Sequence, residues 1–488
     1  MASDVNRDIQ IAIIGAGPGG LCQAIKLTEQ GFENIVIYEK GSDLGGTWNH
    51  NRYPGCECDI PSHLYSFSFE LKPDWSKPYG RQHEILDYLH QCAKKYDVER
   101  FCRFDSEVRA LRWDDERAHW TLEFADGRKE QAQIVVSAIG MFNELVYPEI
   151  EGLDDYQGVK FHSARWNWDH SLEGRTVGVI GSAASAVQFV PEIVKEAGNV
   201  VVFQRTANWV LPKEDEPFTR EQLDYFRSHP EAVAEMRQQI FDGTDSGDAF
   251  TNTERRAEME EAGKQAIAIV EDPVLREKLT PTHDWGCKRP LFANNYYETF
   301  NRPNIELVTD GIDRITPKGV ETVDGREHEV DTLVLATGFD ATKYLSVLDV
   351  QGRGGLDIQD AWADGAQAYR GITTSGFPNL FMLYGPNINM GSLITMIEWQ
   401  TEHIAKHVVH IADEDLAWVD VKSEPHAAYQ EKIQKEIDEV PVWSSPTACN
   451  TYYRAPSGRV VTQWPHSMGA YRESIEDPEF EVYETASR

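Results

Sequence analysis

The sequence predicts an α/β fold built from two strand-helix-strand units, with a helical insertion in the second unit. An apolar run at residues 9–14 stops at a glycine-rich turn and resumes as a helical pattern from Leu21, and the same order recurs after the apolar run at residues 176–180. Between residues 214 and 280, acidic helix-forming stretches replace the strand signals. A strand, a glycine turn and a helix in this order are typical of Rossmann-like dinucleotide-binding domains, so we expect two of them.

The first unit is expected to contain a second strand and a small antiparallel insertion. The strand at residues 35–38 ends at Glu39. Strand patterns at residues 108–113 and 120–124, with the Asp126-Gly127 turn signal after them, indicate a hairpin. Because another apolar strand follows at residues 134–138, this hairpin lies inside an α/β unit.

The second unit begins near residue 150 and is interrupted by helices. Its strands are expected at residues 176–180, 200–203, 304–308 and 332–335. The insertion has predicted breaks at His229-Pro230, at residues 243–247 and at Asp272-Pro273. From about Asp340 the chain is expected to return to the first unit. The predicted boundaries are 1–148 and 340–488 for the first domain, 149–212 and 284–339 for the second domain, and 213–283 for the insertion.

Length and composition indicate a multidomain globular protein. The chain has 488 residues, of which 41% are apolar and 26% charged. No run approaches the roughly 18 apolar residues of a membrane span, and residues 1–10 lack the basic start and apolar stretch of a signal peptide. We therefore expect a cytoplasmic protein without a membrane partner.

The net charge and the cysteines exclude further classes. With 47 Lys and Arg against 80 Asp and Glu, the net charge is -33, which repels nucleic-acid phosphates and anionic lipid. The acidic surface is interpreted as solubilising or salt-adapted, with an acidic docking face as the alternative. The 7 cysteines are odd in number and irregularly spaced, so we expect reduced thiols and no disulfide framework.

The first glycine motif has the spacing that lets a backbone approach a pyrophosphate. Gly15, Gly17 and Gly20 fill the pattern GxGxxG, in which the first glycine makes a tight turn, the second admits the pyrophosphate and the third allows close helix packing. Glu39 follows 24 residues after Gly15, where a carboxylate can accept hydrogen bonds from ribose hydroxyls and would repel a ribose phosphate. The motif predicts an adenine dinucleotide, with an ordinary glycine turn as the alternative.

The second glycine motif departs from this pattern. Gly181, Ala183 and Ala186 occupy its positions, so a methyl group stands where a pyrophosphate comes closest. Taken alone, this motif fits a structural turn as well as a nucleotide site. Gln188, in the helix that follows, is included among the expected cofactor-binding residues.

The residues after the companion strand distinguish the two sites. The strand at residues 200–203 is followed by Gln204, Arg205 and Thr206, where an NAD site would carry an acid. A guanidinium suits a ribose 2′-phosphate through paired hydrogen bonds. We therefore predict FAD at the first motif and NADPH at the second, with a solvated surface arginine as the alternative for Arg205.

Two dinucleotide sites in one chain imply hydride transfer from nicotinamide to flavin. A disulfide reductase would then use a paired redox dithiol. The one close pair in the sequence, Cys56 and Cys58, has a single residue between the cysteines and is a poor match to the usual CxxC or longer spacing. Two inert, packed thiols are the simpler interpretation.

A third motif gives the chain a family resemblance. Gly45-Gly46-Thr47-Trp48 is followed by Tyr53-Pro54-Gly55 and by Asp59, which matches every fixed position of the signature (A/G)GxWxxxx(F/Y)P(G/M)xxxD. On this order of residues the chain resembles the type I Baeyer-Villiger monooxygenases, class B flavoproteins. The resemblance implies that Gly46, Thr47, Trp48 and Asp59 lie at the cofactor.

A second fingerprint of that family, FxGxxxHxxxW followed by Pro or Asp, is similar to a segment between the two glycine motifs. Gly158, His162 and Trp166 match it, whereas Tyr156 replaces Phe and Asn167 replaces Pro or Asp. The related flavin-containing monooxygenases that oxidise amines and sulfides usually carry Tyr in place of the tryptophan. The alternatives are a linker histidine and a packed aromatic, and even in the family the histidine resembles a hinge element.

The resemblance extends over essentially the whole chain. The segment 286–289 is similar to the one that carries the family's active-site arginine, which would be Arg289, and Lys288 would join Arg205 and Thr206 on the 2′-phosphate. Residues 336–338 resemble the linker back to the FAD domain, and residues 385–398 resemble a flavin-contacting stretch. The C-terminal segments 452–453, 458–460 and 463–465 are most similar to the hydroxyacetophenone monooxygenase branch. Tyr452 stands where the family often has Trp in a mobile loop over the cofactor.

The resemblance implies the reaction and the roles of two residues. NADPH would reduce FAD, and one oxygen atom of O2 would be inserted into a small-molecule ketone to give an ester or lactone. Arg289 would stabilise negative charge in the site, since arginine stays protonated there, and Asp59 would fix its position. The active site would lie between the two domains, without a metal. Structural alternatives are a turn carboxylate for Asp59 and a surface salt bridge for Arg289.

Two other functions stay open on the sequence. A sulfide or amine oxygenase of the flavin-containing monooxygenase type would use the same scaffold. A flavin-bearing binding or sensor protein that no longer oxygenates is suggested by the departures at Ala183, Asn167 and Tyr452. The sequence gives neither the substrate nor the oligomeric state.

Overall fold

The fold is taken from a computed structural model, which describes residues 7–245, 248–444 and 451–488. The segments 1–6, 246–247 and 445–450 lie outside the described residues. The signal-peptide prediction therefore rests partly on residues that the structure does not describe, as does the prediction for Cys449.

One parallel sheet forms the centre of the first unit. Its five strands, in spatial order, are Leu380–Met382, Ile134–Ser137, Ile11–Ile14, Ile35–Tyr38 and Cys102–Arg103. Strands of a parallel sheet are covered on both faces, which explains why Ile11–Ile14 is apolar and buried at every position. The helix Pro18–Glu29 follows this strand and packs against the long helix Leu393–Asp413. The edge strand Leu380–Met382 thus comes from the last third of the chain.

A second parallel sheet repeats this arrangement. Its strands, in spatial order, are Ile305–Val308, Asn199–Phe203, Thr176–Ile180, Thr332–Leu335 and Val159–His162. The helix Ala184–Ile193 follows the central strand through the second glycine turn. The predicted α/β class with two Rossmann-like units is therefore confirmed.

The predicted hairpin insertion is also confirmed, but its sheet is larger than expected. The strands Val108–Asp114, His119–Phe124 and Lys129–Ala132 form an antiparallel meander. The short strand Asp349–Gln351 pairs with its outer edge, a non-local contact for which the sequence gives no signal. The remaining strands form three small ribbons: Ile312–Thr316 with Gly319–Thr322 and Glu327–Glu329, Leu416–Val421 with Tyr483–Ser487, and Val210–Leu211 with Leu291–Phe292.

The helical insertion lies between the two strands of the last ribbon. Its helices are Arg220–Ser228, Pro230–Thr244, Asp248–Thr251, Thr253–Ile267 and Pro273–Leu279. Two predicted breaks are confirmed by local chemistry, because Pro230 opens one helix and the Asp272 side chain caps another by accepting from the Val274 amide at 2.8 Å. The insertion is anchored to the first unit by Arg237, whose Nη1 donates to the carbonyls of Leu64 and Ser66 at 2.9 Å each.

The other helices complete the layers around the sheets. They are Thr47–His50, Gln82–Lys95, Tyr296–Thr299, Ile358–Ala361, Ser423–Asp438, Pro441–Ser444 and Met468–Glu476, with short 3-10 turns at Val98–Phe101, Leu153–Asp155, Ser163–Arg165, Arg353–Gly355 and Phe480–Val482. Within the described ranges, no helix has the length and apolar character needed to cross a membrane.

The prediction of reduced thiols is wrong for one cysteine. Cys287 is disulfide-bonded. A disulfide needs two β-carbons about 4 Å apart, which the fold decides and the spacing along the chain does not. Among the residues that the structure describes, the free cysteines are Cys22, Cys56, Cys58, Cys92 and Cys102, all buried.

Candidate active site

The first glycine turn is closed so tightly that side chains are excluded from it. Gly15 has φ +106°, and a β-carbon added there would lie 2.6 Å from the carbonyl oxygen of Ala138. A β-carbon on Gly20 would lie 2.0 Å from the carbonyl oxygen of Gly15. Gly17 is the N-cap of the helix Pro18–Glu29, and its α-carbon faces Gly46. The helix N-terminus therefore opens onto a surface made of backbone, which suits a pyrophosphate.

Glu39 fixes the shape of this turn. Its two carboxylate oxygens accept the backbone N–H groups of Ala16 at 2.9 Å and of Gly41 at 2.8 Å. Each oxygen keeps a further lone pair, so the carboxylate can hold the turn and still accept another hydrogen bond. The structure thus places Glu39 at the turn and gives it a structural contact that the motif did not predict.

The signature segment that follows packs directly on the first turn. Gly46 has φ +54°, and a β-carbon added there would lie 2.9 Å from the α-carbon of Gly17. Gly46 starts the helix Thr47–His50, in which Thr47 is exposed and Trp48 is buried. The Trp48 indole donates to the Tyr65 hydroxyl at 3.2 Å. The structure therefore brings the first glycine motif and the signature segment together.

The second glycine turn has the same backbone geometry as the first. Gly181 also has φ +106°, and a β-carbon added there would lie 2.4 Å from the carbonyl oxygen of Ala336. Ala183 is the N-cap of the helix Ala184–Ile193, with an extended backbone and an exposed side chain. Its methyl group is accommodated without strain at the mouth of the turn, while Ala186 is buried against the sheet.

Two cations without a carboxylate partner lie beside the second turn. Arg205 is exposed and Lys288 is half-buried, and neither forms an ion pair within the described residues. Burial and the charge of Arg205 lower the pKa of Lys288. Thr206 is half-buried next to them, and its carbonyl accepts from the Ser182 hydroxyl at 3.4 Å. Adjacent unpaired cations fit an anionic group such as a phosphate.

Gln188 has a different environment from the one expected of a cofactor ligand. Its Oε1 accepts from the Tyr53 hydroxyl at 2.9 Å, and its Nε2 donates to the carbonyl of Glu57 at 3.0 Å. The amide therefore links the helix Ala184–Ile193 to the signature segment of the first unit. A GxGxxG-type pattern does not predict these hydrogen bonds of the Gln188 side chain.

Arg289 and Asp59 form an ion pair between segments attached to different sheets. Nη2 of Arg289 donates to Oδ2 of Asp59 at 2.7 Å, and their side chains are 42% and 12% exposed. Burial acts to lower the pKa of Arg289, but Asp59 together with the hydroxyls of Tyr452 and Tyr453 raises it above its ordinary value. The arrangement provides a fixed positive charge that is still accessible from one side.

A shell of three tyrosines surrounds this pair: Tyr452 was predicted to lie at the cofactor, whereas no role was predicted for Tyr384 and Tyr453. Tyr452 and Tyr453 contact each other edge to face, with ring centroids 4.8 Å apart. Tyr384, at φ +54°, donates from its hydroxyl to Oδ1 of Asn389 at 2.6 Å. Burial raises the pKa of each of these phenols, so they stay protonated. The unusual feature of Tyr384 is its positive φ before the pair Gly385-Pro386. This backbone angle cannot be read from the sequence.

The fingerprint histidine lies where the chain passes from the first unit to the second and where it returns. His162 is buried, and its ring contacts Tyr147 and Phe339 at centroid distances of 5.6 and 6.2 Å. Its Nδ1 accepts from the Ala164 amide at 3.1 Å. Burial lowers the pKa of His162 to about 4, so the ring is neutral. This environment agrees with a hinge element.

The other two fingerprint residues serve packing. A β-carbon on Gly158 would lie 2.3 Å from the Tyr156 hydroxyl, which itself donates to the carbonyl of Val330 at 2.8 Å. Trp166 packs against Phe189 with a ring-centroid distance of 5.1 Å. The buried hydroxyl of Tyr156 therefore has a hydrogen-bond acceptor, which explains how this position accepts Tyr in place of Phe.

Comparisons with known proteins agree with this geometry. The family model described as Pyridine nucleotide-disulphide oxidoreductase matches residues 12–267. A Baeyer-Villiger monooxygenase of Pseudomonas aeruginosa is 38% identical over 472 residues, which cover 96% of this chain and 89% of the relative.

The match to solved structures also extends over almost the whole chain. The closed structure of cyclohexanone monooxygenase superposes with a TM-score of 0.90 at 29% identity, covering 98% of this chain and 99% of that one. A complex of OTEMO with FAD and NADP gives a TM-score of 0.89 at 28% identity, with the same coverage of both chains. The match to the family model shows that the chain belongs to the pyridine nucleotide-disulphide oxidoreductase family, and its near full-length identity with the bacterial relative shows that it belongs to the Baeyer-Villiger monooxygenases.

Proposed function

We propose that this chain is an FAD- and NADPH-dependent Baeyer-Villiger monooxygenase that inserts one oxygen atom of O2 into a ketone and releases an ester or lactone. The observation that carries the proposal is the pair of Asp59 and Arg289 at 2.7 Å, which joins segments of the two dinucleotide-type units. A guanidinium that is held on one side and open on the other is available to negative charge on a substrate.

The proposal divides the chain into domains with separate cofactors. Residues 1–148 and 340–488 would bind FAD, residues 149–212 and 284–339 would bind NADPH, and residues 213–283 would be the insertion. The division is supported by the two sheets, because the last strand of the first sheet comes from Leu380–Met382 and two strands of the second come from residues after 300.

The residues present fit both cofactors. At the first turn the support is the contact of the Gly17 and Gly46 backbones, which keeps side chains away from the helix N-terminus. Thr47, Trp48 and Glu39 would complete the FAD site. At the second turn the support is the unpaired cation pair of Arg205 and Lys288, which with Thr206 would hold the 2′-phosphate of NADPH. When bound, NADPH supplies the hydride and FAD the redox chemistry that activates O2.

The roles of the side chains follow from their contacts. Arg289 keeps its proton, since Asp59 offsets the effect of burial on its pKa. It would therefore stabilise negative charge on the carbonyl oxygen of the ketone, while Asp59 orients the guanidinium. Tyr452 lies beside Arg289 and would exclude water from the reacting atoms together with the neighbouring tyrosines.

The proposed branch is the one that acts on hydroxyacetophenones. Its support is the packing of the C-terminal motifs: the Asn387 amide donates to the carbonyl of Val460 at 2.9 Å, and the Asn389 amide donates to Oε1 of Gln463 at 2.6 Å. These motifs therefore lie against the segment that carries Tyr384. The aromatic rings of Tyr384, Tyr452 and Tyr453 near Arg289 would favour an aryl ketone.

The test is a product analysis. Purified protein is incubated with NADPH, isotopically labelled O2 and a panel of hydroxylated aryl, cyclic and linear ketones plus one sulfide, and products are read by mass spectrometry. Labelled ester or lactone supports the proposal, and preference for hydroxylated aryl ketones supports the branch. Sulfoxide as the one labelled product, or NADPH consumption without labelled product across the panel, would contradict it.

We also propose that the enzyme works in the cytoplasm. The support is that five described cysteines are free and buried, as is usual in a reducing compartment, with Cys287 as the exception. Fractionation of the producing cells tests this, and recovery in an exported or membrane fraction would contradict it.

A further inference from the structure

A buried network of four charges lies next to the Asp59 and Arg289 pair. Nζ of Lys77 donates to Glu57 Oε2 at 2.5 Å and to Asp215 Oδ2 at 2.6 Å. Nζ of Lys213 donates to the other oxygen of Glu57. The side chains are only 2–16% exposed. Two cations and two carboxylates balance each other, so every charge in the network has a partner.

Glu57 and Asp59 lie two residues apart, and each pairs with a cation of the second unit. The backbone pairs with the next segment of the first unit, because the Cys58 amide donates to the Gly80 carbonyl at 3.0 Å and Glu57 forms an antiparallel bridge with Arg81. The carboxylate of Glu57 pairs with Lys213 and that of Asp59 with Arg289, whereas the thiol of Cys58 between them is buried. The two carboxylates therefore reach the same part of the second unit.

The two cations that receive these carboxylates also belong to one unit. Lys213 follows the strand Val210–Leu211, and Arg289 precedes its partner strand Leu291–Phe292. The end of this ribbon is closed by Asn294, whose Oδ1 accepts from the Lys213 amide at 2.8 Å and whose Nδ2 donates to the Lys213 carbonyl at 2.9 Å. A movement of Lys213 is thus a movement of the ribbon that carries Arg289.

We propose that Glu57 and Lys213 are positioning residues that act as a second point of attachment and hold Asp59 at the distance and angle which Arg289 requires. With one ion pair, the segment 57–59 can still rotate about the line that joins the two charges. Two ion pairs to the same ribbon prevent this rotation. The backbone of Glu57 is held further by the amide of Gln188 on the second unit. The inference rests on the proposed function for its kinetic effect but not for its structural effect.

The experiment compares variants of the full-length enzyme loaded with FAD. Lys213→Met removes the cation, and Glu57→Gln removes the carboxylate charge while keeping its shape and its backbone contacts. The control is Lys129→Met, which removes an ion pair with Glu123 at 2.5 Å on the distant hairpin. Hydrogen exchange of residues 56–59 is followed by mass spectrometry. The turnover to labelled product, the KM for NADPH and the FAD content are measured on the same preparations.

Both network variants are expected to raise amide exchange at residues 56–59 and to lower product turnover about ten- to hundredfold, because small misplacements of reacting groups have effects of that size. The KM for NADPH and the FAD content should stay at wild-type values, which separates positioning from loss of a domain. The control should change neither measurement.

Unchanged exchange at residues 56–59 would overturn the attachment, whether or not the wild type oxygenates ketones. Raised exchange with unchanged product turnover would overturn the positioning role. Loss of FAD from both variants would also overturn it, in favour of a purely structural network. Absence of labelled product from the wild type would refute the proposed function alone, since the exchange comparison still decides the attachment.

Discussion

Asp59 holds the guanidinium of Arg289 at 2.7 Å, although 230 positions separate the two residues in the sequence. Burial acts to lower the pKa of Arg289, but the carboxylate raises it above its ordinary value, so the guanidinium keeps its proton. Removing Arg289 therefore tests the role of the positive charge, and removing Asp59 tests the role of its orientation.

Replacing Arg289 by alanine is expected to abolish ketone oxygenation. Loss of a comparable donor to a developing oxyanion costs about 3 to 4 kcal/mol of barrier, or about two to three orders of magnitude in kcat. The protein should remain folded and yellow, so FAD absorbance and ester formation are measured on one sample. Ketone turnover at the wild-type rate would remove Arg289 from the reaction.

Replacing Asp59 by asparagine is expected to have a smaller effect. The amide can still contact the guanidinium, but it loses the charge-assisted bond, which is about twice as strong as a neutral one. We expect kcat to fall about tenfold with the KM for NADPH unchanged, as for a lost interaction of about 1.4 kcal/mol. Steady-state kinetics with varied NADPH and ketone provide the check, and a raised KM for NADPH alone would assign Asp59 to cofactor binding.

Replacing Arg205 by alanine is expected to weaken NADPH and leave NADH unaffected. The guanidinium has no protein counter-ion within the described part of the chain, so its loss leaves no partner behind. A charged hydrogen bond contributes about 1.5 to 3 kcal/mol, and the preference for NADPH in kcat/KM should fall about ten- to hundredfold. Arg109, an exposed arginine of the hairpin, gives the control variant. An equal loss with both nucleotides would contradict the 2′-phosphate assignment.

Replacing Gly15 by alanine is expected to prevent FAD binding. The residue would be strained at φ +106°, and its methyl group would lie 2.6 Å from the Ala138 carbonyl oxygen. Gly31 offers the matched control, with φ +85° and nothing within 4 Å of an added β-carbon. Gly31→Ala should lose only about 1 to 2 kcal/mol of unfolding free energy and stay yellow. FAD content and Tm of both variants decide this, and a fully yellow Gly15→Ala protein would contradict it.

Acid is expected to destabilise the protein through two buried histidines of the helix Leu393–Asp413. Burial lowers the pKa of His403 to about 4 and that of His407 well below its ordinary value. The unfolded chain binds protons at these rings near pH 6.5, whereas the folded chain does not. Their contribution to stability is therefore complete above pH 6.5 and is lost as the pH falls toward 4.

The variant His407→Phe tests this pH dependence. The ring of His407 lies among Phe381, Phe480 and Tyr483, at centroid distances of 5.7, 5.2 and 4.6 Å, so the site accepts an aromatic side chain. Between pH 7.5 and 5.5 the variant should lose about 1.4 kcal/mol less unfolding free energy than the wild type. Denaturant titrations at both pH values measure the difference, with the exposed His83→Phe as control. Identical pH dependence in variant and wild type would exclude His407 as a cause.

The strands of the two central sheets were predictable because their requirements are local. A buried parallel strand must be apolar at successive positions, and the runs before Gly15 and Gly181 show this directly. The helix starts at Pro230 and Pro273 were equally local, since proline fixes φ and needs no N–H partner at a helix N-terminus.

The contacts of single side chains were less predictable. Gln188 is predicted to contact a cofactor, and its amide also hydrogen-bonds to Tyr53 and Glu57, two contacts that the motif did not predict. Lys213 and Glu57 gave no signal at all, because a lysine after one strand and a glutamate after a turn are ordinary surface residues in any sequence pattern. The same holds for the disulfide of Cys287.

The sequence by itself determined the backbone of this protein and the chemistry of its motifs. Gly15 and Gly181 are needed where φ is positive and a β-carbon would collide, and the signature from Gly45 to Asp59 identified the family. Only the tertiary structure decided which charges meet: Asp59 with Arg289, and Glu57 with Lys213. The physical reason is the distance along the chain between the residues that interact. Backbone conformation depends on residues a few positions apart, whereas an ion pair depends on the packing of segments that are far apart in the chain.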